Sequence, residues 1–158
     1  MANYFLDTSA LAKLYHQEAG SDYMDRVLDE IGSRSLISRL SIVELESVLA
    51  IKVRTGEINP AALQIARRRF RADLARQRLI VAPPVHEGHF QRARKLLVQY
   101  GVDEGLRTLD ALQLAIALDL HRQGYVTVLV AADKRLCRVA PLAGCTAINP
   151  EQPGPILV

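Results

Sequence analysis

Val126-Thr127-Val128-Leu129-Val130, followed directly by Ala131-Ala132-Asp133, is the stretch that decides the fold. It is a continuous apolar and β-branched run with no polar face, as expected of a parallel strand covered on both sides. Working outward, similar short runs recur at Tyr4-Phe5-Leu6, Ser35-Leu36-Ile37-Ser38, Leu79-Ile80-Val81 and Cys145 to Ile148. Helical patterns with their own start and stop signals lie between them. Thr8 or Ser9 is placed to cap a helix from Ala10 to Ala19, and Ser21 opens another that runs to Ile31. Ser41 is expected to cap a helix ending near Arg54. Asn59-Pro60 sets a cap before a proline at the first helical position and opens a helix to about Gln77. Further helices are expected over Val85 to Tyr100, over Thr108 to Gln123, and from Asp133 to just before Pro141. Short strands alternating with helices require crossover connections. The expected fold is therefore α/β: an α/β/α sandwich around a mainly parallel, roughly five-stranded sheet.

A chain of 158 residues is the size of one domain and can bury a core without disulfides. The domain is expected to cover residues 1–149, with the Pro-rich stretch 150–158 as a loose tail. Aromatic residues are 5% with no Trp, so the core must be aliphatic. A net charge of +3 permits a polyanionic partner without demanding one. Cys137 and Cys145 match no zinc or redox spacing and read as small buried hydrophobes. The N-terminus has no basic, signal-like start, and the apolar helical stretch Ala111 to Leu118 is too short to span a bilayer. No membrane association and a cytoplasmic setting are the expectations.

Ligands of open parallel sheets sit beyond the carboxyl ends of the strands. Asp7 and Asp133 follow strands directly, and Glu44 and Asp110 are expected in the first turns of helices on the same edge. Each has an innocent reading. Ser41 and Glu44 match a capping box, Asp110 suits the positive end of its helix, and Asp7 and Asp133 suit turns or caps. Convergence of all four is harder to explain by folding alone. Two carboxylates about 4 Å apart repel by roughly 4 kcal/mol at an effective dielectric near 20. A helix cap contributes only about 1 kcal/mol. A divalent cation would offset that repulsion, and an all-oxygen donor set selects Mg²⁺ or Mn²⁺ over zinc.

At these residues the sequence resembles the PIN domain, and more narrowly the VapC toxins of toxin–antitoxin pairs. The resemblance is carried by Asp7-Thr8-Ser9-Ala10-Leu11, by Glu44, by Leu106-Arg107-Thr108-Leu109-Asp110-Ala111-Leu112, and by Ala132-Asp133-Lys134-Arg135-Leu136, in that order along almost the whole chain. It implies an Mg²⁺- or Mn²⁺-dependent endoribonuclease that hydrolyses RNA, is dimeric, and is inhibited by a small antitoxin protein. It also implies that Asp7, Glu44 and Asp110 are the central catalytic and metal-binding acids, with Asp133 as a more variable fourth. The family often carries Ser or Thr two residues before that fourth acid, where this chain has Ala131.

Other features carry less. The Arg67-Arg68-Arg69 and Arg71 cluster spreads around its helix, so a solvated face competes with RNA contact. Arg107 is better placed to meet a phosphate. His86 and His89 lack the i, i+4 spacing of a zinc protease and read as surface residues. A phosphotransfer domain fits poorly, because Ser9 stands where a second Asp is wanted. The competing function is a non-catalytic RNA-binding PIN relative, which would lack one of the principal acids.

Overall fold

The computed structural model describes residues 1–154. Its strands β1 (Asn3–Leu6), β2 (Arg34–Ile37), β3 (Leu79–Val81), β4 (Val128–Val130) and β5 (Thr146–Ile148) form one sheet in the order β3-β2-β1-β4-β5. Every pairing is parallel. The expected α/β/α sandwich is the one observed, and the order of the strands reverses direction beside β1.

Period-two alternation divides the core. Phe5, Leu36 and Leu129 point to one face of the sheet, and Tyr4, Leu6, Ile37, Val128 and Val130 to the other. The first face is covered by α5 (Glu87–Tyr100), α6 (Thr108–Arg122) and α7 (Lys134–Leu142). The second is covered by α1 (Thr8–Leu11) with the 3₁₀ turn Ala12–Leu14, α2 (Ser21–Asp29), α3 (Arg39–Arg54) and α4 (Pro60–Ala75). α6 is buried almost all round, from Ala111 to Leu118, because it packs between the sheet, α5 and α7. Among the described residues no helix is long and apolar enough to cross a membrane.

Several local expectations change. The first helix stops at Leu11 and tightens into the 3₁₀ turn, instead of reaching Ala19. Tertiary contacts override the helical pattern there. Lys13 Nζ is buried and pairs with Glu18 at 3.1 Å and Glu151 at 2.8 Å, and Tyr15 donates to Asp73 at 2.8 Å. Asp7, rather than Thr8 or Ser9, is the N-cap of α1. Ser38, rather than Ser41, caps α3, its Oγ accepting from Ser41 N at 3.2 Å. Asn59 does cap α4, with Pro60 at the start of the helix. Pro141 lies within the last turn of α7 instead of beyond it. At the start of the expected loose tail, Pro150 is buried and Glu151 holds Lys13, so these two residues are docked on the fold. Residues 155–158 lie outside the described residues.

Candidate active site

Helices that connect parallel strands run back against them, so the N-termini of α3 and α6 come to the carboxyl edge of the sheet. Asp7 follows β1 at that edge, and Asp133 caps α7 two residues after the β4 loop begins. Asp110 lies in the first turn of α6. Glu44 lies in the second turn of α3, because the cap at Ser38 starts that helix earlier than Ser41 would. No capping box forms, and the Glu44 side chain is left for another partner.

Asp7 is 4% exposed. Its Oδ2 accepts from Ser9 Oγ at 2.6 Å and from Ser9 N at 3.1 Å. Ser9 Oγ in turn accepts from Ala132 N at 2.9 Å. One hydroxyl thus ties the carboxylate after β1 to the loop that carries Asp133. That loop has Ala131 two residues before Asp133, and the Ala131 carbonyl is taken by Cys137 Sγ at 3.0 Å. Burial pushes the Cys137 thiol up to about 11, which keeps it protonated and unreactive. Cys137 and Cys145 are both free thiols.

Asp7, Glu44 and Asp110 all ionise above the ordinary carboxylate range, burial being the largest cause in each. Their neighbours add to it: Glu44 raises Asp7, Asp110 raises Glu44, and Asp133 and Asp7 raise Asp110. The acids therefore feel one another's charge, as convergence requires. Asp110 Oδ2 is buried with no hydrogen-bond partner. Its nearest cation is Arg107, whose Nε stands 3.6 Å away while its other end reaches Asp133 Oδ2, also at 3.6 Å. An orphaned buried carboxylate oxygen among like charges is costly unless a cation meets it. The donor set fits a hard divalent ion, with Asp7, Glu44, Asp110 and Asp133 as the oxygens available.

Arg107 is exposed, so its bridge between Asp110 and Asp133 is screened by solvent. In metal-free buffer, Arg107→Gln is expected to lower the melting temperature slightly, by about 1 kcal/mol of stability or less. The loss should be larger at low salt than at high salt. An unchanged melting curve at low salt would mean that the bridge contributes nothing.

The residue missed in the sequence is Gln113. It is fully buried on α6, one turn beyond Asp110. Its Nε2 lies 2.8 Å from Glu44 Oε1, 2.9 Å from Ser41 Oγ and 3.3 Å from Thr8 Oγ1. Its Oε1 accepts from Ser38 Oγ at 2.7 Å. The one available signal was a lone polar residue inside the apolar run Ala111 to Leu118.

The histidines also need correction. His86 is exposed as expected, but His89 is 5% exposed, and both approach Asp119 Oδ2, His89 at 3.1 Å and His86 at 3.9 Å. Among the described residues this trio is the group whose potential ligand atoms lie within 4.8 Å of one another. The four acids do not form such a group at that distance. The wiring of the histidines argues against a metal. Each Nδ1 accepts a backbone N–H, His86 from Gly88 at 3.1 Å and His89 from His86 at 3.2 Å. The ring protons of the neutral forms therefore sit on Nε2 and point at Asp119. Ligation through Nε2 would need those protons on Nδ1, facing two backbone donors. The trio caps α5 and fastens it to α6, where Asp119 also accepts from Arg122 at 2.7 Å. Arg67, from the basic stretch of α4, pairs with Glu46 of α3 at 2.7 Å.

Comparison with known proteins agrees with this architecture. A model of the PIN domain matches residues 4–142. The fold is similar to that of VapC20 from Mycobacterium tuberculosis, described as a sarcin-ricin loop cleaving toxin. The TM-score is 0.63 at 19% identity, covering 96% of this chain and 100% of that one. VapBC2 from Rickettsia felis, solved bound to a DNA fragment from its promoter, gives a TM-score of 0.60 at 17% identity, with 92% and 97% covered. PAE2754 from Pyrobaculum aerophilum gives 0.57 at 22% identity, with 95% and 90% covered. No curated protein matches the chain.

Proposed function

The chain belongs to the PIN-domain family, and from that premise we propose that it is an Mg²⁺- or Mn²⁺-dependent endoribonuclease of the VapC toxin type. The observation that carries the reading is Asp110 Oδ2, buried and without a hydrogen bond, among three other carboxylates at one edge of the sheet. Asp7, Glu44, Asp110 and Asp133 are the proposed ligands. A divalent ion held by these residues would supply activation of a water and charge to offset that of a substrate phosphate.

The chain's own groups prepare that chemistry. Ser9 holds Asp7 in one orientation through two hydrogen bonds. Asp133 spends Oδ1 on capping α7, accepting from Arg135 N and Leu136 N, and keeps Oδ2 on the side of Arg107. Arg107, exposed and long, is free to turn from the acids to a substrate phosphate. The alternative of a non-catalytic RNA-binding relative has no support from the acids, since all four positions are retained.

The fold's likeness to VapC20 and VapBC2 supports a place in a toxin–antitoxin pair with a small protein antitoxin as partner, and a homodimer acting in the cytoplasm is proposed with it. The domain is proposed to be residues 1–149, with Pro150 and Glu151 docked against it. The test is incubation of the purified chain with total RNA and with defined RNA oligonucleotides, in EDTA and in Mn²⁺, with the cut ends mapped. Cleavage at discrete internal sites only with metal, lost in Asp7→Asn, is the expected result. Metal-independent cleavage, or none with Mn²⁺, would overturn the reading.

A further inference from the structure

We propose that Gln113 is a positioning residue for Glu44, and that Ser38 fixes the orientation in which it works. The inference rests on the metal-site reading above and extends it to residues that do not touch the metal. A glutamine amide has two N–H donors and one carbonyl acceptor. Ser38 Oγ donates to the carbonyl at 2.7 Å, which turns the NH₂ end towards Glu44 and Ser41. The two hydrogens serve the two shortest contacts, Glu44 Oε1 at 2.8 Å and Ser41 Oγ at 2.9 Å. Rotating the amide by half a turn would set its carbonyl against the carboxylate and leave the Ser38 hydroxyl facing an NH₂ group. The carboxylate can only accept, and Ser38 Oγ already accepts from Ser41 N at 3.2 Å, so both favour the same orientation of the amide.

The choice of a neutral donor is informative. Among the described residues Glu44 has no ion-pair partner within 4.0 Å, whereas Asp110 and Asp133 share the exposed Arg107. A lysine or arginine in place of Gln113 would orient Glu44 and also neutralise it, competing with a divalent ion. An amide orients the carboxylate and leaves its charge available. A leucine would pack into the same apolar helix without burying a polar group, so burial of Gln113 is a cost that packing alone does not explain. The network also spans the sheet. Gln113 sits on α6, which covers one face, and reaches Glu44, Ser41 and Ser38 at the start of α3, which covers the other. It links the helices that carry Asp110 and Glu44.

The test is Mn²⁺ binding, followed by the electron paramagnetic resonance signal of the free ion, for wild type, Gln113→Leu, Ser38→Ala, Glu44→Gln and the Gln113→Leu/Glu44→Gln double variant. Gln113→Leu is expected to weaken binding by roughly 10–100-fold, the usual effect of losing an outer-shell partner. Ser38→Ala should weaken it several-fold less. In the Glu44→Gln background the effect of Gln113→Leu should vanish, because the two act through one contact. Equal losses in both backgrounds would make Gln113 merely structural and overturn the proposal. So would wild-type affinity in a folded Gln113→Leu. If Gln113→Leu fails to fold, Ser38→Ala decides, and wild-type binding there overturns the orientation lock. A wild-type chain that binds no Mn²⁺ defeats the metal reading itself, a result distinct from all of these.

Discussion

Asp110→Asn is expected to lose RNA cleavage by on the order of 10³-fold while leaving the metal-free fold as stable as the wild type or more so. The two effects have one cause. Asp110 ionises above the ordinary carboxylate range, first through burial and then through the charges of Asp133 and Asp7, with Arg107 and Arg135 opposing. As pH rises past the usual carboxylate value the unfolded chain gives up this proton, while the folded chain keeps it. In that window the unfolded state binds fewer protons, so stability falls with pH until the folded group also ionises. Above the window the penalty is complete, and asparagine removes it. Asp7 and Glu44 are shifted in the same direction, whereas Glu18 and Asp119 are lowered and act in the opposite one. The measurement is therefore the difference between variant and wild type in EDTA, followed from acid pH to neutrality. That difference should grow with pH in favour of the variant. Mn²⁺ should reverse the order at neutral pH, since it binds the carboxylate form and the wild type offers one ligand more than the variant. A large loss of melting temperature for Asp110→Asn in EDTA would show that the residue is chiefly structural.

Phe5→Ala should destabilise the fold by about 3–5 kcal/mol, the usual range for deleting a buried phenyl ring. Phe5 is fully buried in β1, the central strand, paired with Leu36 on one side and Leu129 on the other. Its ring fills the face covered by α5, α6 and α7, and short aliphatic neighbours such as Ala111 and Ala115 cannot extend to close the hole. For a chain of this size each kcal/mol moves the melting temperature by about 2–4 °C. The check is urea unfolding at fixed pH in EDTA. Val98→Ala, on the exposed side of α5, serves as the control and should stay within about 0.5 kcal/mol. A loss below about 1 kcal/mol for Phe5→Ala would contradict the packing described for the central strand.

The positions of Asp7 and Asp133 were legible because each follows an apolar run directly, and a parallel sheet puts all such positions on one edge. Asn59-Pro60 announced α4 by local chemistry alone: a side-chain cap and a residue whose missing N–H costs nothing there. Ser38 and Ser41 were not separable in the same way. Both can cap a helix, and the choice of Ser38 carries a hydrogen bond to Gln113, 75 residues away along the chain. His89 was read as a surface residue for a similar reason. Its burial follows from Asp119, a partner 30 residues on whose approach requires α5 to lie against α6.

The amino-acid sequence by itself determined the alternation of strands and helices, the parallel sheet, and the edge at which the four acids stand. These follow from hydrophobic period and from capping residues, which act over a few neighbours. Tertiary structure alone decided which carboxylate oxygen is left without a partner, which hydroxyl caps α3, and how Gln113 joins two helices across the sheet. Hydrogen bonds between distant residues are directional and short, so they exist only once packing has set the distances between elements. No pattern along the chain encodes them.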